Sequence, residues 1–283
     1  MAEAQASASA ASLLQDVLCP PLARLRSCRT AGATPEAIHQ ARVATRRLRA
    51  NLKDLRAVFG DGWDGDVRPQ LAWVGGLLGG VRDADVLAAA LETQLEAADA
   101  RVRHAGGVLL VELRGERARS WEMLVEGLEH QRFAAATDRL ATLIDAPPAV
   151  DCLVDPAIVM APAWRSLVRS VRTLPPDPSD RQLHGVRIAT KRARYAAEMF
   201  LSAYGTTGGR RFARRAARLQ DALGRHQDAV MAVAWLRARK GTGPGVSFAA
   251  GWLTARFESA RDGDRCAWRD AWESLARPKA RFW

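Results

Sequence analysis

Between Thr34 and Phe59, in TPEAIHQARVATRRLRANLKDLRAVF, apolar and polar positions recur in steps of three and four. Ala41, Thr45, Leu48, Leu52, Leu55 and Phe59 share one face, and His39, Arg42, Arg46, Arg49, Lys53 and Arg56 share another. That period predicts an amphipathic helix. Thr34 supplies an N-cap, Pro35 the first helical position and Glu36 an acidic first turn, so the start is well marked.

The same period predicts helices along most of the chain. One spans about Ser12 to Cys28, with Pro20 and Pro21 expected to kink or divide it. A loop follows at 30–33. After the glycine-rich turn Gly60–Gly65, a third helix runs from near Asp66 through LAWVGGLLGGVRDADVLAAALETQL. Gly75, Gly76, Gly79 and Gly80 lie inside it, each costing about 1 kcal/mol relative to Ala unless a close approach of another helix or a ligand offsets it. A long fourth region, with a break expected at Gly106-Gly107, reaches roughly Gln131, and a shorter helix ends before Ala146-Pro147-Pro148.

Beyond that proline pair the pattern starts again. A helix from about Pro156 to Thr173 leads to a proline-rich loop at 174–178, and Ser179 with Gln182 forms a capping box for the next helix. After Gly208-Gly209 comes RRFARRAARLQDALGRHQDAV, and a last helix is expected from about Val246 to Leu275. Its Trp252, Phe257, Trp268 and Trp272 are spaced as a packed face and are read as core rather than a ligand platform.

The second part copies the first at a fixed offset of 145. His39, Arg42, Ala44, Thr45, Arg47 and Arg49 recur as His184, Arg187, Ala189, Thr190, Arg192 and Arg194, and Arg46 becomes Lys191. The same offset carries Leu78-Gly79 to Leu223-Gly224 and Asp83-Ala84 to Asp228-Ala229. A repeat this long means two related helical domains. The expected organisation is a disordered tail at 1–10, a first half at 11–146, a linker at 147–155 and a second half at 156–283. The fold class is therefore all-α: two tandem bundles of about four helices each, related by pseudo-twofold symmetry.

Composition narrows the partner. The chain has 283 residues, 42 Lys and Arg against 31 Asp and Glu, and a net charge of +11. That surplus favours a polyanion without choosing among nucleic acid, anionic membrane and inorganic polyphosphate. Cys19, Cys28, Cys152 and Cys266 form no CxxC pair, so neither a zinc site nor a disulfide framework is indicated, and they read as buried thiols of a reducing compartment. The N-terminus lacks the layout of a signal peptide, and no segment approaches eighteen uncharged apolar residues, so a soluble cytoplasmic protein is expected.

The sequence offers little for catalysis. It has no Walker loop, GxSxG elbow, HExxH or acidic metal cluster, so no catalytic residue, metal ligand or cofactor is assigned. Arg82-Asp83-Ala84-Asp85 comes nearest to a metal-binding run. Only Asp83 has a counterpart in the second half, and it reads best as an ion-pair partner placing arginines beside Gly79 and Gly224.

For binding, the stripe from His39 to Lys53 is about 21 Å long with a cationic head roughly every 5 Å. A linear polyanion fits such a row, and the arginine fork suits phosphate. The candidate residues are His39, Arg42, Arg46, Arg47, Arg49, Lys53 and Arg82 in the first half and His184, Arg187, Lys191, Arg192 and Arg194 in the second. Arg211, Arg214, Arg215, Arg218 and Arg225 extend the basic surface. Each histidine is either structural or a phosphate ligand near a helix start. His104, His130 and His226 lack counterparts and receive no role. Few aromatic residues flank the stripes, which counts against nucleic acid.

HQARVATRRLR at 39–49 and HGVRIATKRARY at 184–195, with LLGGVRDADVL and DALGRHQDAV behind them, resemble the paired signatures of the CHAD domain family. The resemblance implies two four-helix bundles about a pseudo-twofold axis, a basic groove between them, and binding of inorganic polyphosphate, often at polyphosphate granules. Some members carry a triphosphatase domain with an ExExK signature, which this sequence lacks. The expectation is a non-catalytic polyphosphate-binding protein that also accepts other phosphate-rich polyanions, and no membrane. The alternatives are a phosphohydrolase or phosphotransferase using His39 or His184, and a nucleic-acid-binding protein. Gln227 opposite Arg82 and Tyr195 opposite Ala50 depart from equality between the halves.

Overall fold

The computed structural model describes residues 9–30, 34–150, 154–204, 207–239, 243–277 and 283. Of the expected tail at 1–10, residues 1–8 lie outside the described residues and the buried Ala10 already begins the first helix; residues 31–33 of the expected loop and Cys152 in the linker also lie outside the described residues. Among the described residues the elements are helices: α1 (Ala10–Thr30), α2 (Pro35–Asp54), the single turn α3 (Arg56–Phe59), α4 (Val67–Glu96), α5 (Ala100–Glu129), α6 (Gln131–Asp145), α7 (Pro156–Arg172), α8 (Asp180–Tyr204), α9 (Thr207–Arg237) and α10 (Pro244–Ala276).

The expected caps form. Thr34 Oγ1 accepts from the Ala37 amide at 3.2 Å, and Ser179 exchanges hydrogen bonds with Gln182, whose Oε1 lies 2.8 Å from the Ser179 amide. The amphipathic helix of 34–59 ends in two pieces, α2 and α3, meeting at Leu55. Gly60 follows with φ of 87°, a left-handed conformation that glycine adopts without strain.

Neither the proline pair of α1 nor the glycine pair of α5 divides its helix, for identifiable reasons. Pro20 and Pro21 lie inside an unbroken α1. Pro21 has no N–H to give the carbonyl of Val17, four residues earlier, and the buried Asn51 of α2 donates to that oxygen instead, at 3.1 Å. Likewise α5 continues through Gly106-Gly107. A Cβ on Gly106 would fall 2.4 Å from Leu95 Cδ2, so the glycine lets α4 and α5 close on each other.

The helices enclose two apolar cores, and each core draws on both halves. The larger joins Leu14, Leu48, Leu71 and Leu140 with Leu167, Val186, Phe200, Phe212 and Trp268. The smaller lies where the pair α4–α5 meets the pair α9–α10, and contains Leu91, Leu95, Leu109 and Leu113 with Val233, Leu236, Leu253 and Phe257. Trp268 and Phe257 are buried, and Trp272 stacks on Trp164 at 5.7 Å, so the expected aromatic face of α10 is core. Helix α2 also touches α8, which brings the two basic stripes face to face.

Candidate functional site: a cationic cavity between the repeated helices

A cavity of about 530 Å³ opens where α2 and α8 meet α4, α5 and α9. His39, Arg42 and Arg46 enter it from α2, His184 and Arg187 from α8, Arg82 and Asp83 from α4, and Gln227 and Asp228 from α9. Residues related by the 145 offset thus line a single space: His39 with His184, Arg42 with Arg187, Arg82 with Gln227, and Asp83 with Asp228.

Glycine makes the approach possible. A Cβ on Gly79 would come 2.5 Å from Arg42 Nη1. Without it, Arg42 lies across α4, donating to Asp83 Oδ1 at 2.8 Å and to the Gly75 carbonyl at 3.4 Å. Asp83 therefore holds an arginine beside Gly79, as its position in the repeat suggested; the expected counterpart at Gly224 does not form, because nothing lies within 4 Å of a Cβ built there. In the second half His184 Nδ1 lies 2.7 Å from Gln227 Oε1, a hydrogen bond that fixes the ring. The first half places His39 and Arg82 at the equivalent positions.

The charges are crowded. Burial lowers the affinity of Arg42 for its proton, with Arg46 and Arg82 adding to the effect and Asp83 opposing it. Burial likewise lowers Arg187, with Asp228 opposing and Arg46 and Arg42 reinforcing. Lys191, one turn beyond Arg187, falls to about 7, first through burial and then through Arg187, Arg46 and Arg42, with Asp228 the opposing charge. Asp228 is itself raised, chiefly by burial. The Nε atoms of Arg46 and Arg187 are buried without a hydrogen-bond partner among the described residues. Four cations from two facing helices share two nearby carboxylates, a deficit that an incoming anion would relieve.

The remaining expected ligands are placed differently. Arg47 of α2 donates to Glu198 of α8 at 2.8 Å, and Arg192 of α8 donates to the buried Asp54 of α2 at 2.9 Å. Arg194 holds the other oxygen of Glu198 at 2.7 Å. Arg47 and Arg192 thus fasten the stripes together and Arg194 holds Glu198 from within α8; none of the three lines the cavity. Arg49 and Lys53 are exposed further along α2. On α9, Arg211, Arg214 and Arg218 are exposed, Arg215 is half-buried and Arg225 pairs with Asp264 at 3.2 Å; none of the five lines the cavity. Arg56 belongs to the turn, donating to the buried Asp64 at 2.8 Å.

Sequence reasoning passed over two features. His226, given no role, is buried with Nε2 3.0 Å from Asp180, joining α9 to the start of α8. The far end of the cavity is apolar, walled by Val86, Leu87, Ala90, Leu113, Met231 and Trp235. Among the described residues, no three His, Cys, Asp or Glu side chains gather closely enough to hold a metal ion, and no helix is long and apolar enough to cross a membrane.

A family model described as the CHAD domain matches residues 17–237, spanning every helix that lines the cavity. The chain belongs to the CHAD domain family. Two proteins of Mycobacterium tuberculosis, uncharacterized protein MT2285 of strain CDC 1551 / Oshkosh and uncharacterized protein Rv2226 of strain ATCC 25618 / H37Rv, are each 29% identical to it over 215 residues. The alignment covers 69% of this chain and 39% of theirs, so this CHAD protein spans well under half the length of those relatives. The crystal structure of the CHAD domain from the plant Ricinus communis superposes with a TM-score of 0.74 at 26% identity, covering 96% of this chain and 94% of that one. PptA from Streptomyces chartreusis shares the fold, with a TM-score of 0.77 at 24% identity over 93% and 99% of the two chains.

Proposed function

We propose that this CHAD protein binds linear inorganic polyphosphate without turning it over. The polymer lies in the cavity between α2 and α8, its phosphates against Arg42, Arg46 and Arg187 and extending to Lys191, which lies one turn beyond Arg187 and outside the cavity lining, with His39, His184 and Arg82 beside it. The observation that carries this reading is the convergence of both repeated stripes on one space, where buried guanidinium N–H groups lack acceptors. A polyphosphate chain offers closely spaced oxygens of one sign and needs no base-stacking platform, which distinguishes it from nucleic acid. The exposed Arg49, Lys53, Arg211, Arg214 and Arg218 extend the basic surface for the rest of a long chain. The same reading puts the two halves about a pseudo-twofold axis and the protein in the cytoplasm, at polyphosphate granules.

Binding of long-chain polyphosphate, followed by anisotropy or calorimetry, tests the assignment. With about five phosphates neutralised, affinity should fall on the order of 10²-fold between 50 and 200 mM salt through counterion release. Arg46→Glu with Lys191→Glu should abolish binding, and RNA at equal phosphate concentration should fail to displace the polymer. Unchanged binding in the double variant would sink the proposal, as would release of orthophosphate by the purified protein with magnesium or manganese.

A further inference from the structure

The cavity contains more than a polyphosphate chain can use. From Asp83 to Ala90 its α4 wall continues for about 10 Å, and along that stretch the lining changes from charged to aliphatic: Val86, Leu87, Ala90, Leu113, Met231 and Trp235. The offset that pairs the cationic residues also pairs these, Val86 with Met231 and Ala90 with Trp235, so the second half presents the larger side chains. Met231 is 55% exposed although it is apolar and sits in a concave site. An inorganic polyanion makes no favourable contact with such a wall and would leave it wet.

The polar groups at this end are already committed to each other. Trp235 Nε1 donates to Glu116 Oε2 at 3.0 Å, Glu116 also takes Arg239, and the Arg239 guanidinium lies 3.5 Å from the Trp235 ring centre. One face of the indole is therefore covered, and the carboxylate is engaged. A nucleobase placed here would set its hydrogen-bonding edge against aliphatic side chains, a costly mismatch. An alkyl or prenyl chain incurs no such penalty.

We infer that the cavity takes an organic diphosphate with an aliphatic tail, the diphosphate lying between Arg42 and Arg187 and the tail along Val86, Leu87, Ala90, Leu113 and Met231. This rests on the phosphate-binding reading of the cationic end and adds a ligand class to it. Each methylene buried is worth about fourfold in affinity, so a tail with three methylenes fully covered gains a factor on the order of 50.

Calorimetry on the full chain with inorganic pyrophosphate, geranyl diphosphate and ATP provides the test. Geranyl diphosphate should bind about 50-fold more tightly than pyrophosphate, and its affinity should exceed that of ATP. Ala90→Trp, which fills the apolar end, should bring the ratio of geranyl to inorganic diphosphate affinity close to one, and Met231→Gln should lower it about tenfold. Equal binding of pyrophosphate and geranyl diphosphate overturns the inference while leaving polyphosphate binding standing. Preference for ATP overturns the aliphatic assignment in favour of a nucleotide. If neither diphosphate nor long-chain polyphosphate binds, the phosphate-binding reading fails as well.

Discussion

Replacing Lys191 with methionine should stabilise the ligand-free protein. Its amine is held down from the ordinary 10.5 to about 7, first by burial and then by Arg187, Arg46 and Arg42. Folding therefore opposes the charged form. At about 1.4 kcal/mol per pH unit, the full drop sets a ceiling near 5 kcal/mol on that opposition. The side chain keeps partial contact with water, which screens its neighbours, so a cost of about 2 kcal/mol is the realistic figure. For a base whose folded pKa is depressed, the cost is complete below pH 7, shrinks as pH rises and vanishes above 10.5, where folded and unfolded chains are both neutral. Methionine preserves the length of the stem and removes the charge. Denaturant unfolding at low salt should show Lys191→Met more stable than the parent by about 2 kcal/mol at pH 7 and equal to it near pH 10.5. A variant that is less stable at pH 7, or whose advantage does not change with pH, would refute the picture of an unneutralised cationic cluster.

The same group predicts the pH dependence of binding. Phosphate contact raises the Lys191 pKa above its free value of about 7, so binding takes up a proton above that pH. Polyphosphate affinity should be flat below pH 7 as far as this residue is concerned, and should fall by up to about tenfold per pH unit above it. Lys191→Arg should remove the fall, as an affinity profile from pH 6 to 9 would show. Gly79→Ala puts a Cβ where Arg42 Nη1 now lies. Because the flexible tip can move aside, thermal stability should hold while polyphosphate affinity drops several-fold. Asn51→Leu leaves the Val17 carbonyl without its donor at Pro21, and a loss of about 1–3 kcal/mol is expected in chemical denaturation.

Helical period alone made the cationic stripes legible, because His39, Arg42 and Arg46 repeat along one face whatever packs beside them. The offset of 145 then pointed to a matching pair of stripes, and the contact of α2 with α8 brings them to one cavity. The sequence did not reveal which basic residues were already neutralised. Arg47 and Glu198 are 151 positions apart, and Arg192 and Asp54 are 138 apart, so no local pattern joins them. Arg47 does sit about 100° around the helix from Arg46, toward the side that meets α8, and that displacement was the available clue. The unbroken α1 was hidden for a similar reason, since the donor that replaces the missing proline N–H comes from α2. The apolar end of the cavity was hardest to see. Val86, Leu87 and Ala90 follow the period of ordinary core residues, and only packing shows that no side chain fills the space before them. The mismatch of Ala90 with Trp235 at the repeat offset was nevertheless there to read.

Under the proposed reading, what the two halves share and where they differ follow from the charge each part of the ligand carries. His39 and His184, Arg42 and Arg187, and Asp83 and Asp228 match across the cavity, and all stand where α2 and α8 cross α4 and α9. A phosphate chain looks much the same from both sides, so the proposed ligand would suit matched donors in the two halves, with one carboxylate per half limiting the repulsion between cations. The correspondence weakens one turn further along, where the offset of 145 pairs Val86 with Met231 and Ala90 with Trp235, all four lining the cavity. A wall that is small on one side and large on the other cannot be matched by a symmetric polymer. It suits a ligand with distinct ends, so the divergence of the copies is itself the physical ground for expecting a head and a tail.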